Sequence, residues 1–226
     1  MKKLVIRDNG TIRKKVYTHV REQILSGRIT PNQRLIETKI AQEIGTSRTP
    51  VREALHNLEI EGLIQSIPRV GYQVKAISKE EVEEICQIRF LIEDQAARWA
   101  MEKAPAKVII ELKKNIALTV ARVSKGEIRA FVDLDAQFHE IIARCSGSIR
   151  LLELAQTLRG HMLRYRIQSI YSEDTVLKAI KGHQGILKAI EKRDQQGISQ
   201  AIKVHLEQSK EDILRHALKD ITKGNK

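Results

Sequence analysis

Four side chains in the second half of the chain have the types and spacing to hold a metal ion. Asp135 and His139 stand four residues apart, which on a helix places a carboxylate and an imidazole on one face, one turn apart. That pair can chelate a divalent cation, but on its own the spacing more often marks an ordinary solvated Asp–His pair. His183 and His205 fall in two later helical stretches, among the apolar residues Ile186, Ile190, Ile202 and Leu206. A helical bundle can bring side chains from three helices to one point. Three imidazoles and one carboxylate suit zinc, nickel, manganese or iron better than calcium. Four protein ligands also leave positions of an octahedron open to water or to a ligand carboxylate.

A second chemistry is written in Ser47–Leu63, SRTPVREALHNLEIEGL. Hydroxyl residues ahead of a proline mark the start of a helix, and Gly62 marks its end. Pro50 disfavours a helical Thr49, so Thr49 is expected to cap the helix in preference to Ser47. Val51, Ala54, Leu55 and Leu58 share one face, and Thr49, Arg52 and His56 share another. A short helix with one dry face and a basic, hydroxyl-rich leading end suits a DNA major groove. Arginine pairs bidentately with guanine there, and N-terminal amides hold a phosphate. The same stretch would also serve as a basic surface helix.

Both groups depend on the elements that present them. Ile12, Val16, Val20 and Ile24 repeat every four residues and predict a first helix closed by Gly27. Pro31-Asn32 makes a turn. Ile36, Ile40, Ala41 and Ile44 predict a second, short helix ending at Gly45, so that the Ser47–Leu63 helix completes a helix-turn-helix. Leu63–Ser66 and Gly71–Val74 read as a two-stranded hairpin, or wing. Gly71 would let its backbone approach a phosphate, or it is an ordinary turn glycine. The expected fold class is therefore mainly α. Residues 1–75 form a winged helix-turn-helix domain, residues 76–79 a linker, and residues 80–226 an all-helical bundle. Six helices (or seven) are expected in that bundle, at about 80–103, 107–124, 129–146, 149–171, 175–193 and 197–220.

Charge agrees with this division. The 226 residues carry a net charge of +12. Residues 1–75 hold 14 Lys/Arg against 7 Asp/Glu, and the remainder 26 against 21, so the first third is more than twice as positive per residue. A basic module of this kind favours a polyanion, most often nucleic acid. Two cysteines, Cys86 and Cys145, are too few for a disulfide framework. No apolar run reaches transmembrane length and the start, MKKLVIRDNG, lacks the apolar core of a signal peptide, so a cytoplasmic protein with no membrane partner is expected.

The first domain resembles the GntR family of bacterial transcription regulators. The resemblance rests on Gly27, Pro31 and Leu35, on Ala41 and Gly45, on Ser47-Arg48-Thr49-Pro50-Val51-Arg52-Glu53-Ala54-Leu55, on Leu58 and Glu61-Gly62-Leu63, and on Gly71-Tyr72-Gln73-Val74. Asn32 departs from it, standing where the family usually has glycine. The helical remainder resembles the FadR-type effector domain called FCD, and six helices would place it near the VanR-like branch. The resemblance implies a homodimer on a palindromic double-stranded operator, most often a repressor, whose DNA affinity responds to a small organic acid. It implies that Arg48 and Arg52 read bases or phosphates, that Ser47 and Thr49 contact phosphates, and that Gly71 sits at the wing tip. Arg69 joins them by its charge beside that tip. The FCD pattern of Asp-x-x-x-His, a later His and a last His is filled here by Asp135, His139, His183 and His205. Arg89, Arg164 and Arg166 could hold an effector carboxylate. Arg89 stands equally well as a helix ion pair with Glu93, four residues on. A metal-dependent hydrolase is the competing class, but no general base is evident. Glu140 follows His139, and adjacent helical residues point about 100° apart.

Overall fold

The computed structural model describes residues 11–25, 27–76, 78–170 and 172–223, with side chains except at 163–170 and 216–223. The chain divides into two compact units, Met1–Ile77 and Ser78–Lys226.

The first unit runs α1 (Ile12–Leu25), β1 (Arg34–Leu35), α2 (Glu37–Ile44), α3 (Arg48–Ile60), β2 (Ile64–Ile67) and β3 (Gly71–Val74). The apolar stripes meet in one core. Val16 and Val20 of α1, Ile40 and Ala41 of α2, and Val51, Ala54, Leu55 and Leu58 of α3 pack with Leu35, Leu63, Ile64 and Val74. Burying each large aliphatic side chain contributes about 1.5–3 kcal/mol, which is what holds three short helices together. Gly45 ends α2 at φ +78°, its N–H donating to the Ala41 carbonyl. Asn32 has φ +65°, which explains why a glycine-like position accepts it: asparagine visits the left-handed region more readily than other side chains.

Three details differ from the sequence expectation. Ser47, not Thr49, is the residue preceding α3, and Thr49 is already helical. Pro50 is then the third helical residue, where the first-turn N–H groups have no intrahelical partner, so the missing donor costs no bond. The sheet has three strands, in the order β1-β3-β2, all antiparallel; β1 is only two residues long and leaves no alternation to read. Gly71 opens β3 at φ +117° instead of sitting at the tip. A Cβ there would stand 3.1 Å from the Leu35 carbonyl oxygen. Close approach of β1 therefore requires the glycine, and the tip belongs to Pro68–Val70, with Arg69 at φ +64°.

The second unit contains α4 (Lys79–Lys103), α5 (Pro105–Val123), α6 (Phe131–Cys145), α7 (Ile149–Ile170), α8 (Glu173–Glu191) and α9 (Gln195–Lys223), with a 3-10 turn at Ile128–Ala130. These are the six expected helices. Lys79, expected in the linker, is the first residue of α4, because the Ser78 hydroxyl accepts from the Glu81 N–H at 3.3 Å and starts the helix there. Ala96, Ala97 and Ala100 let α4 lie close to Val108 and Leu112 of α5, Phe138 and Ile142 of α6, Ile186 and Ile190 of α8, and Ile202 and Leu206 of α9. Arg98 ties α4 to α9 through Asp94 and Ser199. Among the described residues no helix is long and apolar enough to cross a membrane.

Candidate metal centre and nucleic-acid interface

The apolar stripe of α6 reads Phe131, Leu134, Phe138, Ile141 and Ile142, and Asp135 and His139 fall within it. His183 occupies a core position of α8 between Ile180 and Ile186. His205 does the same on α9, beside Leu206 and one turn after Ile202. Helical period alone thus carries all four inward, and each is no more than 5% exposed. One donor atom from each lies within 4.8 Å of every other. His139 Nε2 and His205 Nε2 face each other at 3.3 Å, and His183 Nε2 is 3.5 Å from Asp135 Oδ1. Phe138 stacks on His183 at 3.8 Å between ring centroids and fixes the plane of that imidazole.

A further layer supports the cluster. His139 Nδ1 lies 2.9 Å from Glu93 Oε2 on α4. Donation from Nδ1–H to that carboxylate leaves Nε2 as the lone-pair atom turned toward the other ligands, the usual way in which a carboxylate orients a metal-binding histidine. Arg89 Nε donates to Glu93 Oε1 at 2.7 Å. Its Nη2 is as close to the same oxygen but misaligned for a hydrogen bond, and its Nη1 is buried with no hydrogen-bond partner among the described residues. Burial pushes the Glu93 carboxyl up. The Arg89 charge, then His139, more than offset this and hold it well below the usual carboxylate range. Burial, reinforced by His183 and His139, drives the His205 imidazole well below its ordinary value, so it is neutral.

The donor set fits a divalent transition ion. Two imidazole Nε2 atoms facing one another across 3.3 Å, beside a buried carboxylate, are held either by one ring's N–H donating to the other or by a cation that both ligate, and the ligand types suit nitrogen-preferring metals. The cradle is also tight. A Cβ at Gly182 on α8 would come within 2.5 Å of His205 Nδ1 and 3.3 Å of its Cβ, so the whole ring would have to move. Gly182→Ala should lower metal affinity about 10–100-fold, as disruption of a supporting shell does, checked by competition with a chromogenic chelator. An unchanged affinity would show that the ring has slack.

The same charges set a pH dependence for metal-free protein. An unfolded His205 takes up a proton below its ordinary value of 6.5, whereas the native one resists it. The unfolded state then binds more protons, so stability falls as pH drops through that value. Glu93 acts lower down: its native stabilisation is complete above the ordinary 4.5 and is lost as pH falls below it. Burial lowers the His19 imidazole as well, so melting temperatures of chelated protein should decline in two stages between about pH 7.5 and pH 3, and His205→Ala should shrink the upper stage without abolishing it. A single stage in the unaltered protein would contradict this.

In the first unit, Ser47, Arg48, Thr49 and Arg52 all lie exposed at the leading end of α3. Arg69 is exposed at the tip of the turn between β2 and β3. Glu37, the first residue of α2, meets both helix arginines. Arg52 Nε and Nη2 donate to its two carboxylate oxygens at 3.0 Å each, and Arg48 Nη2 donates at 3.3 Å. The Arg52 hydrogen bonds hold the Glu37 carboxyl below the usual range despite its burial. Sequence reading missed Glu37 and Glu93 as members of these sites. Glu93 could be paired with Arg89 by spacing, but its reach to His139 is an interhelical fact. Of the three arginines expected to face an effector, Arg89 is buried beside the centre; the side chains of Arg164 and Arg166 lie outside those described. Glu140, the weak candidate for a catalytic base, pairs with Arg159.

The FCD domain matches residues 84–208, and the pattern of bacterial regulatory proteins of the gntR family matches residues 12–74. The chain belongs to the GntR family. Among GntR-type relatives it is similar to the HTH-type transcriptional regulator YdhC of Bacillus subtilis, 25% identical over 205 residues, covering 90% of this chain and 91% of YdhC. It is similar to the HTH-type transcriptional repressor RspR of Escherichia coli, 26% identical over 202 residues and 89% of each chain. Its fold is that of McbR/YncC of Escherichia coli, with a TM-score of 0.71 at 23% identity over 91% of this chain and 98% of that one. This GntR protein is a DNA-binding transcription regulator with an FCD domain and not an enzyme, which removes the hydrolase alternative. The expected VanR-like placement finds no support among these relatives; a FadR-type FCD domain is as far as they reach.

Proposed function

We propose that this GntR-family protein is a ligand-responsive repressor of the cytoplasm. As a homodimer it binds a palindromic operator, and a small organic acid bound beside a divalent metal in the helical unit modulates its affinity. The buried meeting of Asp135, His139, His183 and His205 carries the sensing half of this reading. These four residues would hold a divalent ion, which would offer a Lewis-acid site for a carboxylate. Arg89, held by Glu93 and with Nη1 left over, supplies a fixed guanidinium for the same acid. Arg48, Thr49 and Arg52 on α3, with Ser47 just before it and Arg69 at the wing tip, form the operator-reading surface. Phosphate neutralisation gives affinity there and base contacts give selectivity. Gly71, the residue after that tip, belongs to the same surface through its backbone and also lets β1 approach.

Arg89 and Glu93 belong to α4, the helix that follows the DNA-binding unit in the chain. Acid binding therefore acts on an element able to change the spacing of two recognition helices in a dimer, provided that it binds the two spacings unequally. A thermal-shift screen of small carboxylic acids, with and without zinc, nickel or manganese, tests the sensing half, because a native-state ligand raises stability by mass action. The expected hit stabilises only metal-loaded protein and changes its affinity for a selected duplex. A hit that binds chelated protein equally well would rule out coordination to the metal.

A further inference from the structure

Glu37 contributes no charge that DNA would welcome, yet it sits against the two arginines at the leading end of α3. Its side chain is 15% exposed, while those of Arg48 and Arg52 are 58% and 60% exposed. Exposed single ion pairs do little for stability. This one differs in being bidentate and in collecting two arginines on one largely buried carboxylate. A guanidinium has two edges that can form paired hydrogen bonds. Glu37 takes the side edge of Arg52, Nε with Nη2. The end edge, Nη1 with the second N–H of Nη2, keeps two parallel donors, the arrangement that matches guanine O6 and N7. Arg48 gives Glu37 a single nitrogen and is less constrained.

We propose that Glu37 is a positioning residue for sequence readout, clamping the side edge of Arg52 so that its end edge is presented to a guanine. This rests on α3 being the DNA-reading helix. Glu37 stays paired with Arg52 when DNA binds. It lowers non-specific attraction by its charge and raises selectivity by ordering a side chain that would otherwise sample many rotamers. Neither effect is a property of α3 alone, because the carboxylate comes from the preceding helix.

The test uses the full chain and a duplex that the unaltered protein enriches from a randomised library, compared with a scrambled duplex at fixed salt. Glu37→Gln keeps the shape and removes the charge; unchanged melting and circular dichroism establish that it folds. Its affinity for the enriched duplex should fall while that for the scrambled duplex holds or rises, so the specificity ratio drops about tenfold. The lost discrimination should map to the same base pair that Arg52→Ala loses, and Glu37→Gln should lower the ratio no further in the Arg52→Ala background. Glu37→Asp keeps the charge but shortens the reach; it should lower the ratio without raising scrambled-duplex affinity. An unchanged ratio with both affinities rising would mean that Glu37 merely competes with DNA, and the inference would be wrong. An equal loss in the Arg52→Ala background would overturn it too. Failure of the unaltered protein to enrich any duplex would overturn the DNA-reading role of α3 itself, a distinct result that takes this inference with it.

Discussion

Chelator-treated protein given zinc or nickel at about 100 times the dissociation constant should gain about 2.7 kcal/mol, or roughly 5–11 °C in melting temperature for a chain of this size. The gain follows from where the ligands sit. Asp135 and His139 come from α6, His183 from α8 and His205 from α9, so one ion held there would join three helices that separate on unfolding. Unfolded chain offers the same side chains without their convergence, and the binding energy becomes folding energy. His183→Ala/His205→Ala leaves two ligands on one helix and should abolish the shift. Metal content of protein purified without chelator should fall from about one ion per chain to none in the same variant. Equal shifts in the two proteins would mean that the metal acts elsewhere, and the centre would have to be abandoned.

The second large effect belongs to the operator. Arg52→Ala should weaken binding to the preferred duplex by about 1–3 kcal/mol and relax the preference at the base pair that Arg52 contacts. Arg69→Ala is the contrasting case. Arg69 stands on an exposed turn at a positive φ, where its side chain can reach a phosphate. Its removal should weaken all duplexes alike and reduce the salt slope by about 1. Binding curves across a salt series, on preferred and scrambled duplexes, separate the two. If Arg52→Ala weakened both duplexes equally, α3 would be gripping backbone and not reading sequence.

Two kinds of contact explain which parts of this protein could be read in one dimension. Asp135 and His139 share a helix face because of backbone geometry alone, and His183 and His205 turn inward because they occupy core positions in an apolar stripe. The helices of both units were legible for the same reason, as were the turn at Asn32 and the cap at Gly45. Local geometry repeats every few residues, so side-chain type and spacing suffice to infer it. The β1 strand was not legible, since two residues show no period.

The sequence by itself therefore determined which side chains face inward, which basic residues face outward, and that a winged module precedes a helical bundle. Tertiary structure alone decided that Glu93 orients His139, that Glu37 holds Arg52, that Gly182 clears the His205 ring and that Gly71 lies under the Leu35 carbonyl. Each of these joins separate elements. Their meeting is set by how side chains of one helix or strand interlock with those of another, and that register has no repeat along the chain from which it could be read.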